Sequence, residues 1–295
     1  MFHQATLPIT MEDGVYLNAK EAKQFGENLS GDYCFAEPFP HIVIDNFLPE
    51  ALINKIIENF PTEGLAGDVV FNDGYSGLHK RQIMPADCNG FIREVFGFFN
   101  SHAIVEFLQS LTTIPSLISD PYFVGGGFHE TTTGGKLGIH ADFRINDALH
   151  LNRRLNVIIY LNKDWKDEYG GHLELWDKKM QGKVHTIAPV YNRCVIFNTD
   201  ADSFHGHPDP LTCPANVKRR SLALYYYTAS KRIYEDTVAH STMYKARPDD
   251  DAATKKEVRG LVFDNYLRDL TPPIFYRIYR RVKDKYKREK GKLGY

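Results

Sequence analysis

A mainly β protein with α-helical additions, built on a jelly roll of two facing sheets, is the fold class this sequence predicts, on three observations. From Pro121 the chain breaks into short β-rich runs separated by Gly, Asn, Asp and Pro, at 122–124, 136–139, 155–161, 171–176, 184–187, 193–197 and 219–228. Helical periodicity lies before and after this block, not between its runs. Metal-binding residue types stand near the ends of runs distant in sequence, and the mouth of a jelly roll can gather such residues.

The elements follow in order. Residues 41–47, His-Ile-Val-Ile-Asp-Asn-Phe, predict a strand, and 49–60 carry apolar residues at helical spacing until Pro61 stops them. The Gly/Asp-rich stretch 64–77 predicts a loop. From Phe91 to Leu111 the apolar residues Phe91, Val95, Phe98, Phe99, Ile104, Phe107 and Leu108 predict one helix backing a sheet. After the β block, 253–270 predict a helix, and beyond Pro272-Pro273 a second helix aligns Phe275, Ile278, Tyr279, Val282 and Tyr286 in one stripe. Three regions result: a mixed, largely helical region over 1–118 packing on the core, the β core over 119–230, and a helical extension over 231–295.

At 295 residues with 43% apolar content, burial does not limit folding. The 36 Lys+Arg nearly cancel the 37 Asp+Glu, so the whole molecule has no bulk attraction to nucleic acid or an anionic membrane. Charge is instead segregated: residues 277–292 hold nine Lys/Arg and two acidic residues. We read that helix as packing its Phe275/Ile278/Val282 stripe on the body with a solvated basic face. Peripheral docking to an anionic membrane or an acidic partner is the other use of such a helix. Cys34, Cys88, Cys194 and Cys213 form no C-x-x-C pair and are expected to be free thiols. No stretch reaches the roughly 18 apolar residues of a membrane span, and residues 1–8 lack a leader pattern, so a cytoplasmic location is expected.

In an extended segment His140 and Asp142 project to one side while Ala141 faces the other, which makes a two-ligand pincer. A third ligand must come from elsewhere. His205 follows the apolar run Cys194–Phe197 and a polar turn and is our choice, although His207 ligates equally well on spacing alone. Two imidazoles and one carboxylate form the facial arrangement of non-haem Fe(II) oxygenases, which leaves positions open for substrate acid and dioxygen. In the run opened by Arg219, alternation puts Arg219, Ser221, Ala223 and Tyr225 on one face and Arg220 on the other. A buried guanidinium beside a Ser hydroxyl is a good receptor for a carboxylate. Tyr160, which shares a face with Asn156 and Ile158, can reach the same group.

These residues resemble the prolyl-hydroxylase-like branch of the Fe(II)/2-oxoglutarate-dependent dioxygenases. The resemblance covers roughly 120–230 and comprises His140-Ala141-Asp142, the strand ending Tyr160-Leu161-Asn162-Lys163-Asp164-Trp165, Gly170-Gly171, His205 and Arg219-x-Ser221. It implies a double-stranded β-helix of cupin type, Fe(II) held by His140, Asp142 and His205, and 2-oxoglutarate held at its distal carboxylate by Arg219, assisted by Tyr160 and Ser221. The spacer of 14 positions from His205 to Arg219 is longer than the family's usual gap and leaves Arg220 open as the clamp.

The expectation is hydroxylation of an unactivated C–H bond with release of succinate and CO2, using O2 and, as reductant, ascorbate. The substrate is expected to be polar: a small metabolite, a sugar, an amino acid or a peptidyl proline. Arg144 in the segment 143–154 and His129 in the polar stretch 128–136, read as a loop, are expected to border the mouth. Two other readings compete. A cupin-like metal-binding protein would keep the triad without turnover, and a nucleic-acid demethylase often has a second Arg where this chain has Tyr225.

Overall fold

The computed structural model describes residues 2–146, 149–229 and 242–270, and beyond them 275, 278, 279 and 282. The chain divides into one unit through Pro248 and a second from Asp249. The first unit opens with β1 (Phe2–Gln4), the ribbon β2 (Ile9–Thr10) and β3 (Tyr16–Leu17), α1 (Ala19–Cys34), β4 (His41–Asp45) and α2 (Glu50–Glu58). It continues with β5 (Val69–Phe71), β6 (Leu78–Ile83), α3 (Gly90–Phe99), α4 (His102–Thr112) and β7 (Ile118–Ser119). The remaining strands are β8 (Gly127–Ala141), β9 (Ile145–Asn146), β10 (Leu151–Tyr160), β11 (Leu173–Trp176), β12 (Lys183–Ile187), β13 (Cys194–Asn198), β14 (His205–His207), β15 (Arg219–Ala229) and β16 (Met243–Tyr244).

One hydrogen-bonded path runs β1-β4-β13-β10-β15-β8-β14-β11-β12, with β6 and β16 also on β8. It doubles over through β8, the longest strand. The first part of β8 pairs with β15 and β6, and its end pairs with β14 and β16. Two sheets thus face each other as in a jelly roll, and strand alternation divides the apolar residues between two cores. Val43, Tyr160, Val195 and Phe197 from one sheet meet Leu173, Leu175 and Ile187 from the other. The opposite face presents Ile42, Ile44, Val157, Ile159, Ile196, Leu222 and Leu224 to Ile53, Ile56, Ile92, Phe96, Ile104 and Phe107 of the helices. Burying each such side chain contributes about 1.5–3 kcal/mol.

Several expectations change. The helix predicted over 91–111 is two, α3 and α4, divided at Asn100-Ser101. No strand forms over 122–124, because the Asp120 carboxylate accepts hydrogen bonds from the Tyr122 and Val124 backbone N–H groups and closes a turn. The stretch 128–136 is no loop but part of β8, and the predicted loop 64–77 contains β5. Residues beyond 230 return to the sheets, since β16 pairs with the end of β8. All four cysteines are free.

The second unit contains α5 (Ala252–Leu270). Of the helix expected beyond Pro272-Pro273, only Phe275, Ile278, Tyr279 and Val282 are among the described residues, so the packing expected for its stripe lies outside them. Tyr286 and all nine basic residues of 277–292 lie outside the described residues. Among the described residues no helix is long and apolar enough to cross a membrane.

Candidate active site

The antiparallel pairing of β14 with the end of β8 sets His205 directly opposite His140. Asp142 follows immediately where β8 ends, and all three residues are buried. The His140 and His205 rings lie 4.5 Å apart between centroids. Their Nε2 atoms stand 3.6 and 3.5 Å from the Asp142 carboxylate oxygens. Each Nδ1 is placed to donate to a backbone carbonyl, Gly138 for His140 and Ser203 for His205, both at 2.9 Å. Those contacts orient both rings with Nε2 toward the carboxylate, as backbone partners do for metal-ligating imidazoles. One ligand atom from each residue lies within 4.8 Å of the others, so the group can hold a metal ion. His207 shares the recess but lies outside this group.

The surrounding charges suit a cation. Burial opposes ionisation of Asp142, but Arg153, His140 and His205 outweigh it and hold the carboxyl well below the usual range. Burial and the neighbouring His140 push His205 down to about 4, so its imidazole stays neutral with a lone pair to give. Asn156 donates to Asp142 Oδ2 at 2.7 Å, and Arg153 Nη2 lies 3.1 Å from the same oxygen. Arg153 is fixed in turn by the Asn156 carbonyl, at 2.5 Å from Nη2, and by the Tyr225 ring 3.5 Å away. A register shift between Arg153 and Leu155 brings Arg153 to the same face as Asn156.

A recess of roughly 190 Å³ extends from this group. Arg219, Ser221, Ala223 and Tyr225 line it from β15, and Asn156, Ile158 and Tyr160 from β10. Arg219 donates to the Gly171 carbonyl at 2.8 Å and to the Tyr160 hydroxyl at 3.3 Å. A Cβ on Gly171, whose φ is +69°, would lie 2.9 Å from Arg219 Cδ, so glycine is required where the guanidinium passes. Arg219 is buried and has no acidic partner among the described residues. Arg220 is different, facing away and pairing with Glu130 at 2.8 Å. Ser221 stands in register between Tyr160 and His129. His129 lines the recess, its Nε2 3.0 Å from the Gly125 carbonyl. Arg144 does not line it.

Sequence reading passed over Lys80 and Gln82 of β6 and Thr131 of β8, which line the same recess. The only signal was their alternation with Arg81 and Glu130, which is hard to see where both faces of a strand are polar.

Residues 126–227 match the model of the 2OG-Fe(II) oxygenase superfamily. The matched stretch contains His140, Asp142 and His205, so the core is similar to 2OG-Fe(II) oxygenases in the residues that form the site. A mouse protein, prolyl 3-hydroxylase OGFOD1, is 26% identical over 199 residues, 66% of this chain and 34% of that protein. The chain thus spans about a third of the length of that curated relative. A Trichoplax adhaerens prolyl hydroxylase, solved with a peptide fragment of hypoxia inducible factor, has a TM-score of 0.48 at 17% identity, covering 70% of this chain and 91% of that one. A Pseudomonas putida prolyl-4-hydroxylase gives the same TM-score and identity over 70% of this chain and 100% of its own. Residues 126–227 are thus similar to 2OG-Fe(II) oxygenases, and the chain is similar to a mouse prolyl 3-hydroxylase.

Proposed function

We propose that the chain couples conversion of 2-oxoglutarate to succinate and CO2 with hydroxylation of a C–H bond in a polar substrate, a prolyl group of a peptide foremost. The observation that carries this reading is the convergence of His140, Asp142 and His205 at one end of a recess that also contains a buried, acid-free guanidinium, Arg219. The prolyl choice rests on the mouse relative.

Fe(II) held by the three side chains supplies, with 2-oxoglutarate and O2, the oxidising power for the C–H bond. His140 and His205 would contribute Nε2 donors and Asp142 a carboxylate oxygen. Arg153 and Asn156 keep that carboxylate ionised and aimed. Arg219 and Tyr160 receive the distal carboxylate, with Ser221 beside them, and so orient the keto acid end toward the triad. Ile158, Leu173 and Ala223 supply apolar wall that helps exclude water. Ascorbate as reductant and a cytoplasmic site of action belong to the same proposal.

Succinate formation under air from 2-oxoglutarate, Fe(II) and ascorbate, with and without prolyl peptides, tests it. The native chain is expected to form succinate, and His140→Ala, Asp142→Ala and Arg219→Ala to lose it. A native chain that binds Fe(II) yet neither binds nor consumes 2-oxoglutarate would remove the reading.

A further inference from the structure

The far end of the recess holds more positive charge than one guanidinium. Across three neighbouring strands, Lys80 of β6 stands in register with Thr131 of β8, and Thr131 with Arg219 of β15. All three line the recess. From the facing sheet β14 adds His207, 5% exposed, whose Nδ1 is buried without a partner. No carboxylate among the described residues forms an ion pair with Lys80 or Arg219. The one acid lining the recess, Asp142, is held by Arg153 and Asn156. The two cations act on each other: burial first, then Arg219, pushes the Lys80 ammonium down to about 8. Two like charges and an orphaned ring nitrogen around one enclosed space are unfavourable until an anion enters.

We propose that Lys80 and Arg219 form a two-cation receptor for the distal carboxylate of 2-oxoglutarate, closed by the Nδ1 of His207. This rests on the 2-oxoglutarate reading above and goes beyond it by adding a second charged grip from a strand outside the Arg219-x-Ser221 run. Lys80 is then a specificity residue, which selects a keto acid carrying a second carboxylate over one without.

The test is calorimetric affinity of the Mn(II)-loaded full chain for 2-oxoglutarate and for 2-oxobutanoate, which keeps the keto acid end and lacks the distal carboxylate. Mn(II) binding itself is followed by electron paramagnetic resonance. Loss of one charge-assisted hydrogen bond predicts that Lys80→Met weakens 2-oxoglutarate about 10- to 100-fold while leaving 2-oxobutanoate and Mn(II) within about twofold. Lys80→Arg is expected to recover most of the loss, and His207→Phe to weaken 2-oxoglutarate alone by a smaller factor. Unchanged 2-oxoglutarate affinity in Lys80→Met overturns the proposal, and Arg219 would then be the sole grip. Equal weakening of both keto acids also overturns it, placing the effect at the metal end or in folding. A native protein that binds Mn(II) but prefers neither keto acid fails differently, because it removes the 2-oxoglutarate reading along with this one.

Discussion

Arg219 and Arg220 are adjacent in one strand and have opposite surroundings. Arg220 joins Arg81 and Lys218 around the buried Glu130, at 2.8, 3.4 and 3.3 Å, and the charges meet within the protein. Arg219 faces a recess where it meets a tyrosine hydroxyl and a backbone carbonyl and forms no ion pair with an acid among the described residues. Strand alternation alone separates a cation paired inside the protein from one that faces an open recess. A buried charge whose counter-ion is missing marks a site more reliably than the residue type does.

The comparison breaks most visibly from the structural side. Glu130→Gln strands three partly solvated cations and is expected to cost on the order of 3 kcal/mol in urea unfolding, the low end for losing a buried ionic partner. The affinity of the folded fraction for 2-oxoglutarate should not change. If Glu130→Gln weakened 2-oxoglutarate directly, the two faces would not be independent. Next in size, Arg219→Met should weaken 2-oxoglutarate about 100-fold with little change in melting temperature, and Arg220→Met should do the reverse, losing about 1–3 kcal/mol of stability. Equal affinity losses in both would erase the distinction.

Lys80 sharpens it through pH. Its folded pKa, about 8, lies below the ordinary 10.5, so between those values the unfolded chain binds the additional proton and stability rises with pH. The penalty for charged Lys80 is fully present below about 8 and is relieved toward 10.5. Lys80→Met, free of ligand, should therefore be more stable than native at pH 7, with the advantage fading through that window. Arg219, Arg153, Asp142, His129 and His207 are common to both proteins, so the difference isolates the lysine. A constant difference from pH 7 to 10.5 would argue against a buried ammonium. The smallest effect is expected from Arg144→Ala, which lies off the recess and should leave 2-oxoglutarate affinity within about twofold by the same calorimetry.

Legibility followed pattern strength. β4, β10, β13 and β15 were readable because each has an apolar back face, and α2 because its buried Leu52, Ile53 and Ile56 fall on one stripe. α1 was passed over because it approaches α4 through small residues. A Cβ on Gly26 would lie 2.5 Å from the Phe107 carbonyl oxygen, so close packing replaced an apolar stripe. β8 resembled a loop since one face carries His129 and Thr131 toward the recess and the other carries Glu130.

By itself the sequence determined the local terms: a pincer from the two-residue period at His140-Ala141-Asp142, the opposite facing of Arg219 and Arg220, and the polar turns between β runs. These depend on backbone geometry within a few residues. Only the tertiary structure set His205 and not His207 beside His140 and Asp142, brought Arg153 and Asn156 onto Asp142, and set Lys80 across Thr131 from Arg219. Those relations depend on register between strands up to 139 positions apart, from Lys80 to Arg219, which side-chain periodicity does not encode.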